Sequence, residues 1–388
     1  MLLLTKRKRS FSFRRINLLL PILILMIYLD SAASTPLHEC VRYESLGGNS
    51  GSRTHRIGLE LKSQVENARE HCARLLQIKP EQLIFTSGAT ESLMILIQGL
   101  KRAGHCNWAI AETEHKAALN QVVDVDPQHQ ILNVSRTGIL KTTDFEYGRV
   151  GVAMSVNNET GVVNDPWSEM KKSGASLTIA DCTQSVGKLE LNMEKDSIDF
   201  MVGSAHKFHG PVGCGFIAVR DIDLWDLIRS PAVGGGQERG IRSGTLNANG
   251  IIQTGQVAKW LHTNKSNYHS KLLSLRQHFE NGIEASLEVE ILGRSVIRAP
   301  HISSLHIPDV DNEALIAAVN NQLAISSGSA CTSHSIEPSH VILAMTNEID
   351  VAESTIRVSF GWQNTIEDVE KAIELISKAA RQIRSFLG

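Results

Sequence analysis

Between residues 57 and 76 the apolar positions Leu61, Val65, Ala68, Cys72 and Leu75 recur at helical spacing, which predicts a helix with one buried stripe. A short strand is expected from Gln82 to Thr86. Ser87-Gly88-Ala89-Thr90 then opens a second helix, with Leu93, Leu96, Ile97 and Leu100 on one face. Val150 to Val156, Leu177 to Ala180, Ile198 to Val202 and Gly215 to Val219 are short apolar runs of the kind that form buried strands. Helix and strand alternate, which predicts an α/β fold with a largely parallel sheet. After about residue 262 the pattern changes to a long polar helix, then to irregular strands and helices. The last helix should be capped near Asn364 or Thr365 and bury Val369, Ile373, Ile376 and Ile383. The expected organisation is a basic and apolar extension over 1–27, a large domain over 28–262 and a smaller C-terminal α+β domain over 263–388.

Composition narrows the class. The 388 residues suffice for two substantial cores, and 42% apolar with 21% charged residues is ordinary for a globular enzyme. A net charge of -2 gives no reason to expect nucleic acid or an anionic membrane as partner. The six cysteines (Cys40, Cys72, Cys106, Cys182, Cys214, Cys331) are scattered, without a CxxC pair. That argues against a disulfide scaffold and a structural zinc site, and favours a reducing compartment. The cytoplasm is expected, or the mitochondrial matrix if the chain is eukaryotic and its extension is a targeting sequence. Residues 1–29 contain no acid, six basic residues between Lys6 and Arg15, and an apolar run from Ile16 to Leu29 broken by Asn17 and Pro21. An organelle-targeting extension, a membrane-associated leader and an unnatural upstream start all fit this pattern.

The chemistry is expected where strands end, because ligands of open α/β sheets bind beyond the carboxyl ends. Those ends carry Asn158, Asp181 and Lys207. A carboxylate and a lysine buried there are costly unless paired or used, and pyridoxal phosphate would use both, as pyridine-nitrogen partner and Schiff-base amine. The bland alternative for each alone is a surface charge. Ser87-Gly88-Ala89-Thr90 lies at a strand-to-helix junction that favours an anion, although Thr90 could equally be an N-cap. Ser204 and His206 could add donors. His115 could stack on the ring and move protons, or be a histidine bonded to backbone. Cys331 is embedded in small residues, Ser326-Ser327-Gly328-Ser329-Ala330 before it and Thr332-Ser333 after it. Such a loop exposes one reactive atom, which suggests a thiol delivered to a lysine-bound cofactor; the alternative is an ordinary loop thiol.

From Tyr28 to about Ile383 the chain resembles cysteine desulfurases of the NifS/IscS-like group, within the class V, fold-type I pyridoxal-phosphate enzymes. The likeness is carried by Tyr28-Leu29-Asp30-Ser31-Ala32-Ala33-Ser34-Thr35-Pro36, Thr113-Glu114-His115-Lys116, Val156-Asn157-Asn158-Glu159-Thr160-Gly161, Asp181-Cys182-Thr183-Gln184, Ser204-Ala205-His206-Lys207, Gly234-Gly235-Gly236-Gln237-Glu238-Arg239, Arg242-Ser243-Gly244-Thr245 and the Cys331 loop. It implies a mainly parallel sheet of the seven-stranded type in the large domain. It implies Lys207 as the Schiff-base lysine, Asp181 on the pyridine nitrogen, Gln184 on the ring hydroxyl and His115 stacked on the ring. Asn158 would hold substrate or cofactor. Ala89, Thr90, Ser204 and His206 would bind the phosphate, joined by Thr245 from the partner subunit of a homodimer. Arg357 would pair with the substrate carboxylate. L-Cysteine would become L-alanine, with the sulfur held on Cys331 as a persulfide for an acceptor protein, an iron–sulfur scaffold or a sulfur relay.

Ser31, Ala205 and Trp362 depart from the family pattern, Trp362 standing where an arginine is usual. Pro36 to Gly48 and Ala117 to Val156 look shorter than in relatives. The competing readings are a selenocysteine lyase, a class V aminotransferase that needs no loop thiol, and a degenerate homologue acting as a binding or scaffold protein.

Overall fold

The computed structural model describes residues 26–42, 47–52, 54–328 and 337–387. The chain enters through a short strand, β1 (Ile27–Tyr28), and the helix α1 (Arg56–Leu76). All five apolar positions predicted for that helix are buried. It ends where Gln77 turns left-handed, with φ 58°, and its N–H caps the carbonyls of Ala73 and Arg74.

The next stretch alternates strand and helix: β2 (Leu83–Thr86), α2 (Ala89–Arg102), β3 (Trp108–Ala111), α3 (Lys116–Val125), β4 (Gln130–Leu132), β5 (Val150–Met154), α4 (Trp167–Lys172), β6 (Leu177–Asp181), β7 (Phe200–Ser204) and β8 (Gly215–Val219). The strands form one seven-stranded sheet in the order β2-β8-β7-β6-β5-β3-β4. All neighbours are parallel except β8, which is antiparallel to both β2 and β7. The exception follows from chain length: the link from Ala205 to Cys214 is too short for a crossover helix, so the chain must fold straight back. Every residue of β5, β6, β7 and β8 is buried, which is why these strands read as unbroken apolar runs. The strand expected at Ile198 begins instead at Phe200. The intervening Asp199 is fully buried, and its carboxylate accepts from Thr178 N at 2.8 Å and Arg220 Nη2 at 2.7 Å.

A single helix, α5 (Ala248–Ser286), runs through residue 262 without a break. Its first half packs on α1, where Gly255 allows close approach: an added Cβ would lie 2.5 Å from Ala68 Cα. The remaining elements are β9 (Glu290–Ile291), β10 (Ile302–His306), α6 (Asn312–Val319), β11 (Leu323–Ala324), α7 (His340–Thr346), α8 (Ile349–Glu353), β12 (Thr355–Ser359) and α9 (Ile366–Leu387). β12, β10 and β9 form an antiparallel sheet. The second half of α5 and α9 pack together, with Val369 and Ile376 buried. Thr365 and Asp368 cap α9 reciprocally, Asp368 N donating to Thr365 Oγ1 at 3.3 Å and Thr365 N to Asp368 Oδ2 at 3.1 Å. β1 pairs in parallel with β11, and Asp30 bridges to Ser359. The first residues of the chain's described part are thus built into the C-terminal unit.

Candidate active site

β2, β3, β5, β6 and β7 run in one direction, so their carboxyl ends share one edge of the sheet. A cavity of about 400 Å³ opens there. Ala89, Thr90, His115, Asn158, Asp181, Gln184, Ser204, His206, Lys207 and Arg357 all line it. Thr245 does not; it is exposed on the surface. Cys331, with residues 329–336, lies outside the described residues.

One end of the cavity is built for an anion. α2 starts from Gly88, which has no side chain to cap it, so the first-turn N–H groups remain available beside Ser204 and Thr90. β8 passes so close to this turn that only glycine fits at 215: an added Cβ would lie 2.6 Å from Gly88 C and 2.8 Å from Gly203 O. Glu91 is also near. Against the upward push of burial, Ser87 N–H and Arg242 hold its carboxyl below the usual range, and Arg242 Nε lies 3.0 Å away. His206 is kept neutral, its pKa lowered to about 4 by burial and by Lys207 and Lys188.

At the centre, Lys207 Nζ donates to the carbonyls of Ala32 and Ala33, each at 2.6 Å. This N-terminal segment is laced to the lysine segment again by Thr35 N, 2.7 Å from His206 O, and by Thr35 Oγ1, which accepts from His209 N at 2.6 Å. Asp181 closes β6, and its Oδ1 accepts from Thr183 N at 2.9 Å. His115 is the N-cap of α3: its Nδ1 accepts from Ala117 N at 3.0 Å. Burial lowers its pKa, against the raising pull of Asp181. The neutral ring therefore carries its proton on Nε2, which makes His115 a hydrogen-bond donor at that atom.

Beside it, Glu114 is buried, and Met154 N donates to its Oε1 at 2.6 Å. Burial, and then the Asp181 charge, push its pKa well above the ordinary value, against the pull of the Met154 N–H. Arg357 lies across the cavity on β12. Its Nη1 donates to Asn158 O at 2.9 Å and its Nη2 to Asp30 Oδ1 at 2.7 Å, while its buried Nε has no partner among the described residues. The donor set fits pyridoxal phosphate: an anion cradle, an amine, a carboxylate at a strand end and a neutral histidine. The Arg357 guanidinium at the cavity wall suits an incoming carboxylate.

Sequence reasoning did not reach the Ala32 and Ala33 carbonyls, Glu114 or Asp30. The motifs around them were visible, but backbone acceptors leave no residue-type signal, and Glu114 and Asp30 meet partners far away along the chain, Met154 N and Arg357 Nη2. Of the departures, Trp362 packs 4.9 Å from Trp260, and Lys271 Nζ sits 4.5 Å over its ring. Ser31 and Ala205 are fully buried.

The chain belongs to the class V aminotransferase family, whose model matches residues 27–372. Within it, the chain is similar to cysteine desulfurases. The cysteine desulfurase IscS of Photorhabdus laumondii is 35% identical over 391 residues, covering 93% of this chain and 94% of the relative. That of Stutzerimonas stutzeri is 33% identical over 392 residues, with the same shares covered. Among solved structures, a NifS-like protein superposes with a TM-score of 0.83 at 26% identity, covering 92% of this chain and 100% of that one. A NifS-like protein from Rickettsia africae gives 0.81 at 25%, covering 92% and 99%. Class V aminotransferases and cysteine desulfurases depend on pyridoxal phosphate in general.

Proposed function

We propose that this chain is a pyridoxal-phosphate-dependent cysteine desulfurase that converts L-cysteine to L-alanine and takes the sulfur onto Cys331 as a persulfide. The observation that carries the reading is the meeting of Lys207, Asp181, His115 and Arg357 in one cavity, with an anion cradle at its end. Held there by Lys207, Asp181 and the α2 cradle, the cofactor supplies an electron sink at the amino-acid α-carbon. Arg357, which lines the cavity, binds the substrate carboxylate. Lys207 Nζ, which donates to the Ala32 and Ala33 carbonyls when it is not joined to the cofactor, takes the α-proton. His115 Nε2–H donates a hydrogen bond over the cavity. The Cys331 thiolate then bonds to the substrate sulfur as the carbon–sulfur bond breaks, the bonding pair staying with the β-carbon, and the carbon fragment takes one proton at that carbon, regains one at the α-carbon and leaves as alanine.

The site also supports a homodimer. Val212 lines the cavity yet is 76% exposed, so that wall is open, and a second copy bringing Thr245 would close it over the phosphate end. The persulfide would pass to an acceptor protein, an iron–sulfur scaffold or a sulfur relay, in the cytoplasm or the mitochondrial matrix.

The test is a pair of variants. Lys207→Ala should lose the visible absorbance of the cofactor-loaded protein and all turnover. Cys331→Ser should keep that absorbance and lose alanine release from L-cysteine. Alanine release by Cys331→Ser at the wild-type rate would sink the proposed sulfur route.

A further inference from the structure

We propose that His301, which no step above uses, is a positioning residue that acts with the Ala32 carbonyl: it holds the Gln184 carboxamide oxygen, so that the NH₂ end stays toward Ala32 and the cofactor cavity. The inference rests on the cofactor reading above. His301 is fully buried just before β10, and its Nε2 lies 3.1 Å from Gln184 Oε1. On the other side, Gln184 Nε2 donates to Ala32 O at 2.8 Å.

The chemistry of these partners leaves one arrangement. Ala32 O can only accept, and it already accepts from Lys207 Nζ at 2.6 Å. Only the NH₂ end of Gln184 can face it, so Oε1 must face His301. Two acceptors cannot share a hydrogen bond, so His301 Nε2 carries the proton. His301 Nδ1 is then a bare lone pair with no partner among the described residues. A buried lone pair left unpaired is a commoner state than a buried N–H left unpaired. A charged ring is opposed by burial first and then by Lys188, Arg276, Arg357 and His209, which together push its pKa well below the ordinary value.

The consequence reaches the cavity. With one amide hydrogen on Ala32 O, Gln184 keeps its second for the cavity it lines. The Nε2–H tautomer of His301 thus holds the Gln184 oxygen away from the cavity and, with Ala32 O, leaves Gln184 a donor, not an acceptor, toward the cofactor ring. The lock comes from the C-terminal sheet: Phe360 N donates to His301 O at 2.8 Å, and β10 pairs Ser304 with Arg357. The strand that carries the arginine and the residue that sets the ring's donor therefore move together.

The test is a spectroscopic titration of the cofactor-loaded protein. A hydrogen bond donated to the ring oxygen draws off electron density that otherwise holds the proton of the lysine–cofactor linkage. Losing it raises the pH midpoint of the visible band. His301→Leu removes the donor at similar bulk and should raise the midpoint by about half a unit to one unit, the worth of one ordinary hydrogen bond. His301→Gln, which can donate from the same place, should titrate as the wild type. In a Gln184→Leu background, His301→Leu should add no further shift. A wild-type midpoint in His301→Leu, or an equal shift without Gln184, overturns the proposal; a lowered melting temperature alone is the purely structural outcome and also overturns it. In ¹⁵N-histidine-labelled wild type, the signal lost in His301→Gln should report a proton on Nε2, and one on Nδ1 overturns the proposal even if His301→Leu does not fold. A wild type that binds pyridoxal phosphate without a visible band would instead remove the cofactor reading, and this proposal with it.

Discussion

Lys188 places an ammonium where almost no water reaches, with 1% of its surface exposed. Its Nζ donates to Lys207 O at 2.7 Å and to Gln184 O at 3.4 Å, so its partners are carbonyls and not carboxylates. Burial, and then the charge of Lys207, lower its pKa from 10.5 to about 7. The sign of the consequence follows from proton counting. Between pH 7 and 10.5 the unfolded chain holds a proton at this lysine that the folded chain has released, so stability rises with pH across that window. Below pH 7 both states are charged, and the folded state bears the full desolvation penalty, about 5 kcal/mol for a shift of this size. Lys188→Met keeps the length of the side chain and removes the charge. It also leaves two carbonyls without this donor, at about 1–3 kcal/mol each, a cost that does not change with pH.

The informative quantity is therefore the stability difference between the two proteins as a function of pH. Urea unfolding at one fixed protein concentration, at pH 6.5 and 9.5, should show the wild type gaining on Lys188→Met by about 3 kcal/mol. A difference that stays constant within about 1 kcal/mol across that range would mean that the two carbonyls fully compensate the burial, and the reasoning would fail.

Two further outcomes follow from the same structure. Gly215→Ala drives a Cβ into the backbone at Gly88 and Gly203, which no rotamer can relieve, so the anion cradle must open by about 1 Å. The dissociation constant for pyridoxal phosphate should rise about tenfold or more, and wild-type affinity would contradict the cradle. His209 is buried with its pKa lowered to about 4 by burial, so below the ordinary value of 6.5 the unfolded state binds a proton that the folded state refuses. Stability should fall as pH drops from 6.5 to 4, and His209→Gln should flatten that slope by about one proton. An unchanged slope would show that His209 does not carry it.

The sheet was legible because its strands are buried on both faces and so spell out apolar runs, and the helices because one stripe of each is buried. What misled was local. Ile198 is apolar and fully buried, yet it precedes its strand, which begins at Phe200: burial alone gives an apolar residue and does not mark where the ladder starts. The change of pattern near 262 is a change of surroundings along α5, from α1 to α9, and not the start of an element. β1 is two residues long and pairs with a strand near the other end of the chain, so no periodicity announces it.

The site divides along the same line. Lys207, Asp181 and Asn158 could be placed from sequence because a strand end is a local property. Their partners could not, because those are supplied from far away along the chain. Arg357 shows this most clearly: its guanidinium meets Asp30, 327 residues away, and Asn158, 199 residues away, and its backbone exchanges two hydrogen bonds with Ser326. Ser326 is the small residue with which the run toward Cys331 begins. One residue, by its side chain and its backbone together, therefore ties the N-terminal segment, the β5 end and the start of the thiol loop to a single point. Contacts of such separation carry a high closure cost and form late. The cradle at α2, made from Ser87 to Glu91 and the neighbouring β8, can form with the sheet, while the arginine corner must wait until both ends of the chain have met. A chain shortened at Asp30, or damaged in β12, should thus lose the substrate end of the cavity while leaving the anion end intact.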